Sequence, residues 1–166
     1  MSVKENIENK IMSSLEDALD LISTWRNNKE KIVFTNGCFD LFHAGHAHSL
    51  ADAARYGTKL IVGLNDDSSV HKLKGNNRPF NKLSSRAFVL ASLQAVDLVI
   101  PFSELNPENL IRAIIPDVLA KGSEYTLENI AGAAFVLENE GDVVRIPLLP
   151  DISSTKMAEF MLNKND

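Results

Sequence analysis

Cysteine is nearly missing from this sequence: Cys38 stands alone among 166 residues. One thiol excludes an internal disulfide and a thiolate-based zinc cluster, in accord with a reducing compartment. Long apolar runs are missing too. No stretch approaches the length needed to span a bilayer, and the first residues, MSVKENIENKIMSSLED, have no apolar core of the kind a secretory signal carries. The expectation is a cytoplasmic protein with no membrane partner. Nor is there a surplus of positive charge, with 17 Lys and Arg against 22 Asp and Glu. That balance argues against bulk nucleic-acid binding, which needs a basic face, yet leaves room for a local basic pocket. No internal repeat, low-complexity tract or Gly/Ser/Pro-rich linker divides the chain. With 45% hydrophobic and 23% charged residues, it is long enough for one sizeable core and too short for two.

What is present is alternation. Residues 13–27 read as an amphipathic helix, with Leu15, Ala18, Leu19, Ile22 and Trp25 at helical spacing and Ser13 with Glu16 as a capping-box pattern. We take residues 1–29 as a helical lead-in and 30–166 as the main domain. Five short apolar runs follow, at 31–36, 59–65, 97–102, 117–122 and 142–148, and each reads as a buried strand. Helical stretches fall between them at about 46–56, 82–95, 106–115 and 127–139, the third with Asn106 as cap and Pro107 at its first position. Strand and helix alternating in this way predict right-handed crossovers and a five-stranded parallel sheet covered on both faces. The fold class is therefore α/β, a single Rossmann-like doubly wound domain. The least regular segment is KLKGNNRPFNK (72–82), where Gly75, the asparagines and Pro79 predict a shaped, basic loop.

Residues 35–50, TNGCFDLFHAGHAHSL, hold three of the four histidines directly after the first strand. In an open parallel sheet, ligands lie beyond the carboxyl ends of the strands. Gly37 and Gly45 allow close approach to the main chain, and a helix starting near Gly45 aims its N–H groups and partial positive charge at the same place. His43 and His46 are three apart and could face one anion together. The bland reading is ordinary polar residues on a surface turn. The preceding strand, the following helix and the later basic loop favour a polyphosphate cradle. A zinc site would need more ligands; Asp40 and His48 are near in sequence, but their spacing matches no zinc motif. Asp40 could brace the turn or help hold a nucleotide's magnesium. Cys38 reads as a small filler, His48 and His71 as solvated helix residues, and Asp97 as structural.

The stretch TNGCFDLFHAGH resembles the signature of the HxGH cytidylyltransferase-like nucleotidyltransferases. The segments LIVGLNDDSSVHKLKGNNRPFNKLSSRAFVLASLQAVDLVIPF, PDVLAKGSEYTLENIAG and ISST are similar, in order and spacing, to the adenylyltransferase domain of the bacterial enzymes that make ADP-heptose, a domain often fused to a sugar kinase. The resemblance covers about residues 30–160. It implies transfer of AMP from ATP to D-glycero-β-D-manno-heptose 1-phosphate, with Mg2+, giving ADP-heptose and pyrophosphate, and it suggests a homodimer. Catalytic roles fall on His43, His46 and Lys74. Nucleotide contacts fall on Thr35, Asn36, Gly37, Cys38, Phe39, Gly45, Lys121, Gly122, Ser153, Ser154 and Thr155, and the sugar phosphate on Asp40, Arg78 and Arg86. Related enzymes usually read KGGDY where this chain reads KGSEY. A cytidylyltransferase acting on glycerol 3-phosphate or another small phosphate, and a non-catalytic nucleotide-binding module, share the cradle. A class I aminoacyl-tRNA synthetase is set aside, because this acidic chain lacks room for tRNA-binding domains.

Overall fold

The structure is a computed structural model that describes residues 1–150 and 153–162, without the side chains at 154, 161 and 162. Five strands form one parallel sheet in the order β3-β2-β1-β4-β5: β1 Ile32–Gly37, β2 Lys59–Asn65, β3 Leu98–Phe102, β4 Val118–Gly122 and β5 Asp142–Ile146. The predicted doubly wound α/β fold is present, and the order reverses between β1 and β4.

Side-chain alternation along β1 explains the two-sided burial. Ile32 and Phe34 face one core with α2 (Leu15–Asn27), α6 (Glu108–Ile114) and α7 (Ala133–Glu138), through Ala18, Ile22, Ile111 and Val136. Val33 faces the other, with Leu50 and Ala53 of α3 (Ala44–Ala54) and Leu90 of α5 (Leu83–Ala91). Full burial of a side chain such as Phe34 contributes about 1.5–3 kcal/mol.

Several boundaries differ from the sequence reading. Ser14, not Ser13, caps α2, its Oγ accepting from Asp17 N at 3.1 Å. The expected 127–139 helix is split into a 3-10 turn, Leu127–Asn129, and α7, because Gly132 between them holds φ 81°, a conformation outside any helix. Pro107 is the cap of α6 rather than its first residue, and Asn106 Oδ1 accepts from Glu108 N at 3.1 Å. Two helices were not foreseen. α1 (Val3–Glu8) buries no residue, and α4 (Asp67–Lys74) buries only Ser69 and Val70, so neither leaves a strong apolar period. α4 also claims the first residues of the expected 72–82 loop. The lead-in extends the sheet as well, since Val99 N donates to Lys10 O at 2.8 Å and Met12 N to Val99 O at 3.0 Å on the outer edge of β3.

Two aspartates fasten the amino ends of the strands. Asp97 Oδ2 accepts from Leu60 N at 2.8 Å, and Asp117 Oδ2 accepts from Ile32 N at 2.7 Å. Asp117→Ala strands the Ile32 N–H and should lower stability by about 1–3 kcal/mol in urea unfolding.

Candidate active site

Beyond the carboxyl ends of β1 and β4 lies a cleft of about 620 Å3 whose walls include Asn36, Cys38, His46, Lys74, Lys121 and Tyr125. The first wall is the turn from β1 into α3. A Cβ on Gly37 would lie 2.9 Å from the Phe39 ring, so any larger residue there would have to displace that ring. Phe39 itself has φ 46°, which turns the chain sharply before α3.

His43 caps α3: its Nδ1 accepts from His46 N at 3.3 Å. An accepting Nδ1 carries no proton, so neutral His43 keeps its proton on Nε2. The two imidazoles stack, with centroids 3.8 Å apart and planes at 17°. Phe39 and Phe42 flank His46 at 5.1 and 5.5 Å. Burial, His43 and Lys74 push the His46 pKa down to about 4, and burial lowers that of His43. Both rings are thus neutral at pH 7, which corrects any picture of a standing imidazolium pair. His46 Nδ1 is buried without a partner in the structure. Gly45 is buried in the first turn of α3 and, like His43, does not line the cleft.

The opposite wall is β4. Lys121 Nζ donates to Asn36 O at 3.1 Å and to Asn36 Oδ1 at 2.9 Å, and it sits 5.2 Å from the centre of the Tyr125 ring. Burial lowers its pKa to about 8, against the opposing effect of Glu124 and Cys38. In KGSEY, Ser123 adopts no positive φ, so replacing glycine there strains nothing. Glu124 folds back over Gly122, where a Cβ would lie 2.0 Å from its carboxylate. The Cys38 thiol faces the same cleft. Burial raises its pKa, an effect that outweighs the nearby Lys74, Arg86 and Lys121, and so keeps it a poor nucleophile.

Of the three residues expected at the sugar phosphate, Asp40 lines the cleft and Arg78 and Arg86 do not. Asp40, 3% exposed, accepts from Arg78 Nε at 2.6 Å, Phe80 N at 2.9 Å and Asn81 N at 2.8 Å, and these donors hold its carboxyl below the usual range despite burial. It braces the loop. Arg78 lies over the Phe80 ring at 4.8 Å with its side chain 11% exposed, following a turn with a cis Arg78–Pro79 bond. Arg86, 2% exposed, is enclosed by protein acceptors. Lys74, at the end of α4, remains exposed and lines the cleft. Ser153 Oγ accepts from Lys156 N at 3.1 Å as a helix cap, and Thr155 is exposed; the side chain of Ser154 lies outside the described residues. Among the described residues, none of 153–155 lines the cleft. Sequence reasoning missed Asn65, Glu124 and Tyr125 as cleft residues. Asn65 was within reach, being a polar residue that ends an apolar strand just as Asn36 does.

An anion-receiving helix start at the switch point of a doubly wound parallel sheet defines a nucleotide-handling α/β protein. The chain belongs to the cytidylyltransferase-like family, whose model matches residues 34–160. It is 46% identical over 150 residues to the bifunctional protein HldE of Nitrosococcus oceani, covering 90% of this chain and 32% of that protein. The HldE proteins of Coxiella burnetii and Caulobacter sp. are 48% and 50% identical, over 83% and 88% of this chain and 29% and 30% of theirs. The chain therefore spans about a third of the length of these curated relatives. A lipopolysaccharide core biosynthesis protein from Thermoplasma volcanium shares the fold, with TM-score 0.60 and 21% identity over 72% of this chain and 97% of that one. No helix among the described residues is long and apolar enough to cross a membrane.

The depressed His46 pKa makes a prediction about acid. Between pH 6.5 and about 4 the unfolded chain takes up a proton at His46 that the folded chain refuses, so stability falls as pH drops through that window. The urea midpoint of the parent should fall more between pH 7 and 4.5 than that of His46→Gln. Parallel pH dependences would mean that His46 titrates normally.

Proposed function

We propose that this protein is an adenylyltransferase that transfers AMP from ATP to a sugar 1-phosphate, D-glycero-β-D-manno-heptose 1-phosphate, releasing pyrophosphate and ADP-heptose. One observation carries the reading. A neutral imidazole, His46, stacked on that of the helix-capping His43, lines a cleft with two lysine amines, Lys74 and Lys121, neither of which forms an ion pair among the described residues. The long sequence match to the HldE proteins and the resemblance of the motifs support the acceptor. Such a reaction belongs in the cytoplasm, where its nucleotide donor is abundant.

The acceptor oxygen is already an anion at neutral pH, so the chain need not remove a proton from it. The new bond joins that oxygen to the α-phosphorus, the bond to the β-phosphate oxygen breaks, and the electron pair leaves with pyrophosphate. Catalysis then rests on position and on donors aimed where charge grows. His43 offers Nε2–H, fixed as donor by the bond at its Nδ1. His46, neutral and lining the cleft, offers a ring N–H that an arriving anion strengthens by raising its pKa. Lys74 lies between the two sets of phosphates, and the 35–39 backbone cradles the donor. Lys121 and Gly122 hold the nucleoside side.

Magnesium, bound to the triphosphate, would offset its charge. Asp40 is taken up by three donors, and the described residues contain no cluster of three His, Cys, Asp or Glu fit to hold a metal.

The test incubates the protein with magnesium, each of the four nucleoside triphosphates and a panel of sugar 1-phosphates and glycerol 3-phosphate, following pyrophosphate. Release with ATP and the heptose 1-phosphate is expected. Release with CTP and glycerol 3-phosphate would replace the reading, and ATP binding without release would make this a binding module. His46→Ala should lower kcat about a hundredfold or more with the fold intact by circular dichroism; unchanged turnover would remove His46 from the mechanism.

A further inference from the structure

Arg86 is the largest fully buried side chain among the described residues, and it is a cation. Its Nε donates to Asn81 O at 2.9 Å, one Nη to both Cys38 O and Asn65 O at 2.7 Å, and the other to Asp67 Oδ1 at 2.7 Å. Four of the five N–H donors that a guanidinium possesses are thereby engaged, leaving little with which to meet a substrate. The four acceptors belong to four different pieces of the site. Cys38 is in the turn that forms the phosphate cradle, and Asn65 ends β2. Asp67 opens α4, the helix whose last residue is Lys74, and Asn81 belongs to the loop clamped on Asp40.

We propose that Arg86 is a positioning residue for the transfer reaction: its guanidinium locks α4 and the 78–81 loop to the β1 turn, so that Lys74 is held facing the phosphate cradle. The inference rests on the proposed function and extends it to a residue that does not touch substrate. Lever arithmetic shows why the lock matters. The eight residues of α4 span about 10 Å. A tilt of about 10° at Asp67 would then move the backbone of Lys74 by roughly 2 Å, and a misplacement of about 1 Å can cost a hundredfold in rate. Lysine could not substitute, because a tetrahedral ammonium has three donors about one point where the planar fork reaches four separated acceptors.

A kinetic double-mutant cycle tests this with Arg86→Lys, Lys74→Ala and the double variant, reading kcat/KM from pyrophosphate release per folded molecule. Arg86→Lys should lower kcat/KM on the order of ten- to a hundredfold. In the Lys74→Ala background the same change should cost less than about threefold, because the group it positions has gone. Losses that multiply independently, or no loss in Arg86→Lys, would overturn the proposal, and a brace that is only structural would lower the melting temperature while leaving kcat/KM unchanged. Should Arg86→Lys not fold, Asp67→Asn replaces it in the cycle; its side chain is 45% exposed, and it removes only the carboxylate partner. If the parent releases no pyrophosphate with any substrate, the activity reading fails separately. The same cycle is then read as Mg-ATP affinity by calorimetry, where coupling sustains the positioning role and independence or an absence of binding ends it.

Discussion

The site depends on the point at which β1 and β4 stop pairing. Their register is recorded only at Val33 with Val118 and Phe34 with Leu119, whereas β1 and β2 pair over six residues. Two residues further on, Asn36 and Lys121 face each other across the seam, and the link between them is a side-chain ammonium rather than a backbone ladder. A parallel sheet that reverses its winding direction must leave such a gap, since crossovers depart to opposite faces on either side of it. In this chain the gap is spanned by a group that is itself charged and lines the cleft. Closing the sheet and charging the site are therefore one interaction, and the lowered pKa of Lys121 records what burial costs it.

The cations around the cleft divide by chemistry. Arg78 and Arg86 are buried and directed at a carboxylate and at backbone carbonyls, where a rigid planar fork with several donors is most useful. Lys74 is exposed at the cleft, whereas Lys121 also lines it but is tied to Asn36 across the seam. Arg86 is spent on protein acceptors, whereas Arg78 keeps one buried Nη without a partner among the described residues. Asp40 is likewise spent on protein donors. Its oxygens are already saturated by donors, and a free carboxylate in that position would repel the anion the cleft is shaped to hold.

The fold was legible because its signals are local and strong. β-Branched runs such as KIVFT and KLIVGL admit few readings, and polar helices between them force crossovers. The turn from β1 into α3 was legible for a related reason, since a strand end, a glycine, two histidines and a helix start are consecutive in sequence. What sequence could not give was the assignment of the arginines. Whether a basic residue in a loop meets ligand or protein depends on partners remote in the chain. Cys38 and Asp67 lie 48 and 19 residues from Arg86, and no periodicity announces them. α4 escaped notice because its stability rests on the Asp66 cap, which accepts from Ser69 N at 2.8 Å, more than on apolar spacing. Gly132 could not be distinguished from a tolerated helix glycine until its φ was known.

The same network explains how an unfavourable turn persists. A phenylalanine in the left-handed region costs about 1–2 kcal/mol, and burying His46 Nδ1 without a partner adds a further cost. Both lie within seven residues of Asp40, whose carboxylate collects two backbone N–H groups and a guanidinium while its own carbonyl accepts from Asn81 Nδ2 at 2.6 Å. A relaxed Phe39 would swing Asp40 away from these donors and leave them buried and unpaired, a larger loss than the strain relieved. The turn is thus held by the loop, and the loop by Arg86. The strained Phe39 and the unpartnered His46 nitrogen therefore persist because the surrounding contacts of Asp40 and Arg86 fix the turn that carries them.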